Sequence, residues 1–157
     1  VFARTGGVPP WERAPARVEL RAQELRRQSA KAGLPFNIQP LFARTNPAPA
    51  SYAFIAAQKA GGGDLGALVH AMTGAVWARD QDIAEDAVIK ACLEGAGFDP
   101  ALADSGLVIG AETYAANTEE AVNRGVFGAP FWITDGDERF WGQDRIGDLD
   151  LHLAGKL

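Results

Sequence analysis

One cysteine, Cys92, and two histidines, His70 and His152, are all that the 157 residues hold of these types. A single cysteine excludes an internal disulfide, and a reducing cytoplasm is then the simplest compartment. The histidines are far apart in sequence and neither has a partner at ligand spacing, so no metal site is expected. No apolar run approaches the roughly 18 residues of a membrane-spanning helix, which argues against a membrane partner. Positive charge is not in excess either. The formal net charge is −5, whereas nucleic-acid binding needs clustered Lys and Arg, so no nucleic-acid partner is expected. Arg17, Arg21, Arg26 and Arg27 alternate with Glu19 and Glu24, which reads as a solvated helix face.

The residues present suffice for an ordinary soluble core, with 47% hydrophobic and 22% charged. The chain opens Val1-Phe2-Ala3-Arg4, without the apolar stretch of a signal peptide and without Met, so further residues are expected upstream. Residues 1–13 read as irregular, punctuated by Gly6, Gly7, Pro9 and Pro10. A helix follows over 14–32 and stops near Gly33. Pro35, Pro40, Pro47 and Pro49 then mark a long loop. A helix over 50–60 ends at Gly61-Gly62-Gly63. Leu65, Leu68, Val69, Met72 and Val76 fall on one face of the next. Ile83, Ala87, Val88, Ala91 and Cys92 suggest another over 81–95, with Asp80 as N-cap and Asp82 in its first turn. Together with Asp86 these acids read as structural. Asp99-Pro100 starts a short helix, and a longer one spans 107–124 and ends at Gly125.

The pattern then changes. Phe131 to Thr134 favour strand, Asp135-Gly136 signals a two-residue hairpin turn, and Glu138 to Trp141 form the return strand. A last helix begins near Asp144 with Ile146, Leu149 and Leu153. A lone two-stranded hairpin is marginal in water. This one carries Phe131, Trp132, Ile133, Phe140 and Trp141, apolar on both faces, as in a sheet covered on both sides. Nothing in residues 1–125 reads as a partner strand. The expectation is a preceding strand–helix–strand unit of at least ~30 residues, or a second chain.

Gly125-Val126-Phe127-Gly128-Ala129-Pro130, a hairpin, and Phe140-Trp141-Gly142-Gln143-Asp144-Arg145 together resemble the C-terminal signature of the 2-hydroxychromene-2-carboxylate isomerases. These are grouped with kappa-class glutathione transferases and DsbA-like proteins. Asn117 to Ala121, Pro9-Pro10-Trp11-Glu12, Gly33 to Phe36 and Phe42 to Asn46 extend the resemblance along the chain. It implies an α/β thioredoxin-like fold split by an all-helical insertion domain. Residues 1–10 would end the N-terminal thioredoxin half. Residues 11–124 would be the insertion, and residues 125–157 the C-terminal half.

The resemblance also implies glutathione as cofactor. Ala129 and Pro130, joined by a cis bond, would face its cysteinyl part. The rival reading is a Pro that starts an edge strand. Gln143 and Asp144 would meet the γ-glutamyl carboxylate and ammonium at a helix N-terminus; the rival is a plain Asp N-cap. Asn46, less so Thr45, matches a family Asn near the active site, against a turn residue beside Pro47. Trp11 is a pocket candidate. The catalytic Ser of the isomerases would lie upstream of Val1. Gly7 and Val8 depart from the family, standing where relatives carry a polar contact residue. Cys92, on an apolar helix face, reads as buried and inert.

The implied activity is glutathione-dependent isomerisation of an aromatic-ring degradation product, a small-molecule substrate held in a Trp- and Phe-lined cleft. Two enzymatic rivals are a DsbA-like thiol-disulfide oxidoreductase, marked by an upstream Cys-x-x-Cys, and a kappa-type glutathione transferase. A third is a non-catalytic binding protein on the same fold, consistent with Gly7-Val8. Relatives are often dimers, so a homodimer is a further expectation of the resemblance.

Overall fold

Proline in the first turn and glycine at the C-cap bound two of the helices, Pro15–Ala32 and Ala48–Ala60. The structure, a computed structural model, describes residues 1–157. Its helices are α1 (Phe2–Thr5), α2 (Pro15–Ala32), α3 (Ala48–Ala60), α4 (Leu65–Arg79), α5 (Asp86–Gly95), α6 (Leu102–Ser105), α7 (Leu107–Asn123) and α8 (Ile146–Leu153). Strands β1 (Phe131–Ile133) and β2 (Arg139–Trp141) form one antiparallel pair. Single 3-10 turns cover Pro10–Glu12 and Gln143–Arg145. By contacts the chain divides into a unit of Val1–Arg13 with Thr118–Leu157 and a helical unit of Ala14–Asn117.

In the helical unit, α2 opens on Pro15 and closes on Gly33 in the left-handed conformation, with no buried residue along its polar length. The Asp64 side chain caps α4 by accepting the Ala67 N–H at 3.0 Å, satisfying a donor that a helix start leaves over. The core is built from small residues of α3 (Ala50, Ala53, Ala57) against Leu68, Met72 and Ala75 of α4 and Ile89, Cys92 and Leu93 of α5. Phe98 and Ala103 complete it. Where α7 crosses α3, a Cβ on Gly110 would lie 2.7 Å from the Tyr52 Cα. Only glycine permits that approach.

Four sequence expectations need correction. Residues 1–13 are not irregular, since they hold α1 and a 3-10 turn. The fifth helix starts at Asp86, not 81, and buries Ile89, Cys92 and Leu93, while Ala87 and Ala91 are exposed. The reason is Asp80 and Asp82. Asp80 is the left-handed C-cap of α4 (φ 51°), and its carboxylate accepts from Asn37 Nδ2 at 2.8 Å and the Leu41 N–H at 2.9 Å. Asp82 accepts from the Thr45 hydroxyl and from the Ala84 N–H. Tertiary partners thus take both carboxylates away from helix capping. Third, the hairpin loop is not a two-residue turn. Asp137 adopts φ 63°, and Thr134 donates to the Glu138 carbonyl at 3.0 Å, giving a three-residue connection with a left-handed last position. Fourth, the last helix begins at Ile146, after the 3-10 turn.

The hairpin unit registers Phe131 with Trp141, Trp132 with Phe140 and Ile133 with Arg139. Its two strands pair only with each other. No residue of this unit is buried, and Trp141 is 54% exposed. Arg4 makes two hydrogen bonds to the Glu119 carboxylate. They raise the Arg4 pKa and hold that of Glu119 below its ordinary value. Both groups are exposed, so the pair adds little stability.

Candidate functional site

Gly142 positions the site. It follows β2 with φ 104°, a region L-residues rarely enter, and a Cβ there would lie 2.5 Å from Asp144 Oδ1. Its N–H donates to the Pro130 carbonyl at 3.1 Å. The chain therefore turns sharply out of β2 and brings Gln143 and Asp144 back beside the segment that enters β1. A cavity of about 370 Å³ results, lined by Ala129, Trp141, Gly142, Gln143, Asp144 and Arg145.

Three of the residues singled out in the sequence thus share one pocket, and Pro130 adjoins it through the bond to Gly142. The Ala129–Pro130 peptide is cis. Neither the N–H nor the C=O of Ala129 has a hydrogen-bond partner within the chain, and the Gln143 amide has none. Exposed Asp144 has one charged neighbour, the Arg145 guanidinium at 3.6 Å. Arg145 also reaches Asp148 at 3.4 Å. Asp144 does not cap a helix through its side chain, which sets aside the rival N-cap reading, because the 3-10 turn puts Arg145 at the N-cap of α8. The capping oxygen is therefore available to a ligand. The pocket offers one carboxylate, one guanidinium, one side-chain amide and one open peptide edge. That set complements a small zwitterionic peptide-like molecule.

Trp141, a strand hydrophobe within the signature segment, is also a wall of this pocket. Its ring lies 4.9 Å from Phe127 at 70°, and Phe127 meets Phe131 at 5.2 Å. These edge-to-face contacts stiffen the pocket wall. Gly128 makes room for the indole, since a Cβ there would sit 2.2 Å from Trp141 Nε1. The Gly128-Ala129 and Trp141-Gly142 pairs were the available signal.

Trp11 lies in the Pro10–Glu12 turn of the same unit, 53% exposed, and does not line this cavity. Asn46 belongs to the helical unit, where its Oδ1 accepts the Ala48 N–H at 3.1 Å. This is the turn role, and it leaves the Asn46 NH₂ without a partner in the chain. Neighbouring Thr45 donates to Asp82. That bond, then the Ala84 N–H, holds the Asp82 carboxyl below its usual pKa, so Asp82 fixes the loop as an anion.

Cys92 is buried in α5, and burial pushes its thiol pKa up, partly opposed by the Arg79 charge. A protonated, enclosed thiol is a poor nucleophile. We expect Cys92 to stay unreacted with 5,5′-dithiobis(2-nitrobenzoate) at pH 8 on the timescale that titrates it fully in 6 M guanidinium. Equal rates in both conditions would contradict the buried placement. No group of three His, Cys, Asp or Glu side chains is arranged for a metal ion, and no helix is long and apolar enough to cross a membrane.

Comparison with known proteins adds family to geometry. A search of curated proteins finds no significant match. A solved structure of selenomethionine 2-hydroxychromene-2-carboxylate isomerase superposes with TM-score 0.74 at 23% identity, covering 95% of this chain and 71% of that one. At that identity the likeness concerns the fold. The family model described as DSBA-like thioredoxin domain matches residues 2–154. The chain thus belongs to the DSBA-like thioredoxin domain family, its thioredoxin fold carrying a helical insertion.

Proposed function

We propose that the protein is a glutathione-dependent isomerase of the 2-hydroxychromene-2-carboxylate type, acting on a product of aromatic-ring degradation. The observation that carries this reading is the pocket at Ala129, Gln143 and Asp144, where the Ala129 peptide groups and the Gln143 amide have no hydrogen-bond partner within the chain and Asp144 meets only Arg145. In this reading the Ala129 N–H and C=O hold the cysteinyl segment of glutathione in the manner of a neighbouring strand, with Pro130 beside it. Asp144 accepts from the α-ammonium. Gln143 donates to the γ-glutamyl carboxylate, and Arg145 adds positive charge next to it. Bound glutathione supplies a thiolate nucleophile for cis–trans isomerisation of a conjugated double bond. The catalytic hydroxyl is assigned to a Ser in a segment preceding Val1, outside the residues described. A reducing cytoplasm and a homodimer are part of the same proposal.

Membership of the DSBA-like family favours a second reading, thiol-disulfide exchange, with kappa-type glutathione transfer beside it. Titration calorimetry of the purified protein with reduced glutathione tests the pocket. Saturable one-site binding is expected, with S-methylglutathione retaining it, because the γ-glutamyl contacts do not involve sulfur. Absence of saturation at 10 mM ligand overturns the glutathione reading. Thiol-dependent isomerisation of 2-hydroxychromene-2-carboxylate, without catalysis of insulin disulfide reduction, then separates isomerase from oxidoreductase.

A further inference from the structure

The helical unit holds a second concavity, of about 390 Å³, between faces of α3 and α4 with Tyr114 of α7 at one side. Phe54, Trp77 and Tyr114 supply aromatic walls and Met72 its floor. None of the lining residues is charged. Of the three hydroxyls in the lining, those of Ser51 and Thr73 are committed as donors to their own helices, and the third is the phenol of Tyr114. Ser51 Oγ donates to the Pro47 carbonyl at 2.8 Å, and Thr73 Oγ1 to the Val69 carbonyl at 2.7 Å. Two of the rings are braced from behind. Trp77 stacks on Phe36 with centroids 5.5 Å apart and planes at 6°, and Tyr114 meets Tyr52 edge-on at 5.6 Å.

These features select an occupant. Twelve residues line the concavity, whereas a protein partner engages roughly 20–30 a side, so neither a second copy nor another protein is matched by its extent. The volume falls at the lower end of small-molecule sites, roughly 300–1,000 Å³. The absence of lining charge excludes an ionic ligand, which would lose hydration with nothing in exchange. The braced rings present flat faces with little ordering cost. We propose that this concavity is a binding site for a neutral aromatic small molecule of one or two fused rings. The site stands on the helical unit alone and does not depend on the glutathione reading.

Titration of the full protein with 1-naphthol and with 1-naphthoate tests it. These probes share a ring system and differ in charge. Saturable 1:1 binding of 1-naphthol is expected, with 1-naphthoate at least about tenfold weaker. Thr73 is exposed and Ser51 half-buried on the rim, so Thr73→Trp and Ser51→Phe fill the space from the solvent side. Each is expected to weaken 1-naphthol at least about tenfold while leaving the helical circular dichroism intact. If one variant does not fold, the other is read, and the naphthol–naphthoate pair on the unaltered protein decides independently. No saturable binding, equal affinity for the two probes, or unchanged naphthol affinity in a folded filled variant overturns the proposal.

Discussion

Leu93→Ala is expected to lower the stability of the protein by about 3–5 kcal/mol, enough to shift its urea midpoint by a molar or more. Leu93 and Leu68 are the largest side chains with no exposure at all. Leu93 sits in α5 among Cys92, Ala96, Phe98 and the facing residues of α3 and α4. Truncation removes the transfer free energy of the lost atoms and leaves a cavity. The walls cannot close over it, because α3 already approaches through alanines. Small domains are stable by only about 5–15 kcal/mol in total, so the variant would be near its folding limit. Leu93→Met, which conserves volume, should cost under about 1.5 kcal/mol. Val108→Ala, at a position 72% exposed, should fall within about 0.5 kcal/mol of the parent. Urea titration by far-UV circular dichroism reads all three. A loss under about 1 kcal/mol for Leu93→Ala would mean that α5 is not the centre of this core.

The same core shows what the sequence can and cannot reveal. The spacing of Leu65, Leu68, Met72 and Val76 marks α4, because one helix face carries the pattern unaided. The start of α5 was not legible. Asp80 and Asp82 have N-cap chemistry, yet Asn37, Leu41 and Thr45, about 40 residues away in sequence, claim their oxygens. Asp135-Gly136 signals a tight turn, but Asp137 takes the left-handed position and lengthens it. For the site, Ala129, Pro130, Gln143 and Asp144 were found through family resemblance, and hydrophobic periodicity contributed nothing there. Trp141 stood within the signature segment and reads there as a strand residue, although it is a wall as well. The aromatic concavity on α3 and α4 left no separate trace, because its lining reads along the chain as ordinary core.

Asp144→Ala should weaken reduced glutathione by about tenfold to a hundredfold in a calorimetric titration, the equivalent of losing one charge-assisted hydrogen bond of about 1.5–3 kcal/mol. Asp144 is the only carboxylate in the lining of its pocket, so no other anionic group there can pair with an ammonium. Its pair with Arg145, at 3.6 Å and exposed on both sides, contributes little to folding, and stability should change by under about 0.5 kcal/mol. Gln143→Ala removes a neutral donor from a carboxylate that Arg145 also faces, and should cost less, up to about tenfold. Added salt should narrow the gap between parent and Asp144→Ala, since an exposed charge contact is screened. A glutathione analogue lacking the α-amino group isolates the contact. It should bind the parent about as weakly as glutathione binds Asp144→Ala, and the variant should no longer distinguish the two ligands. That non-additivity is the mark of a direct contact. If the variant instead loses affinity equally for both ligands, Asp144 shapes the Gly142 turn and does not receive the ammonium, and the orientation of glutathione in this pocket would have to be reversed.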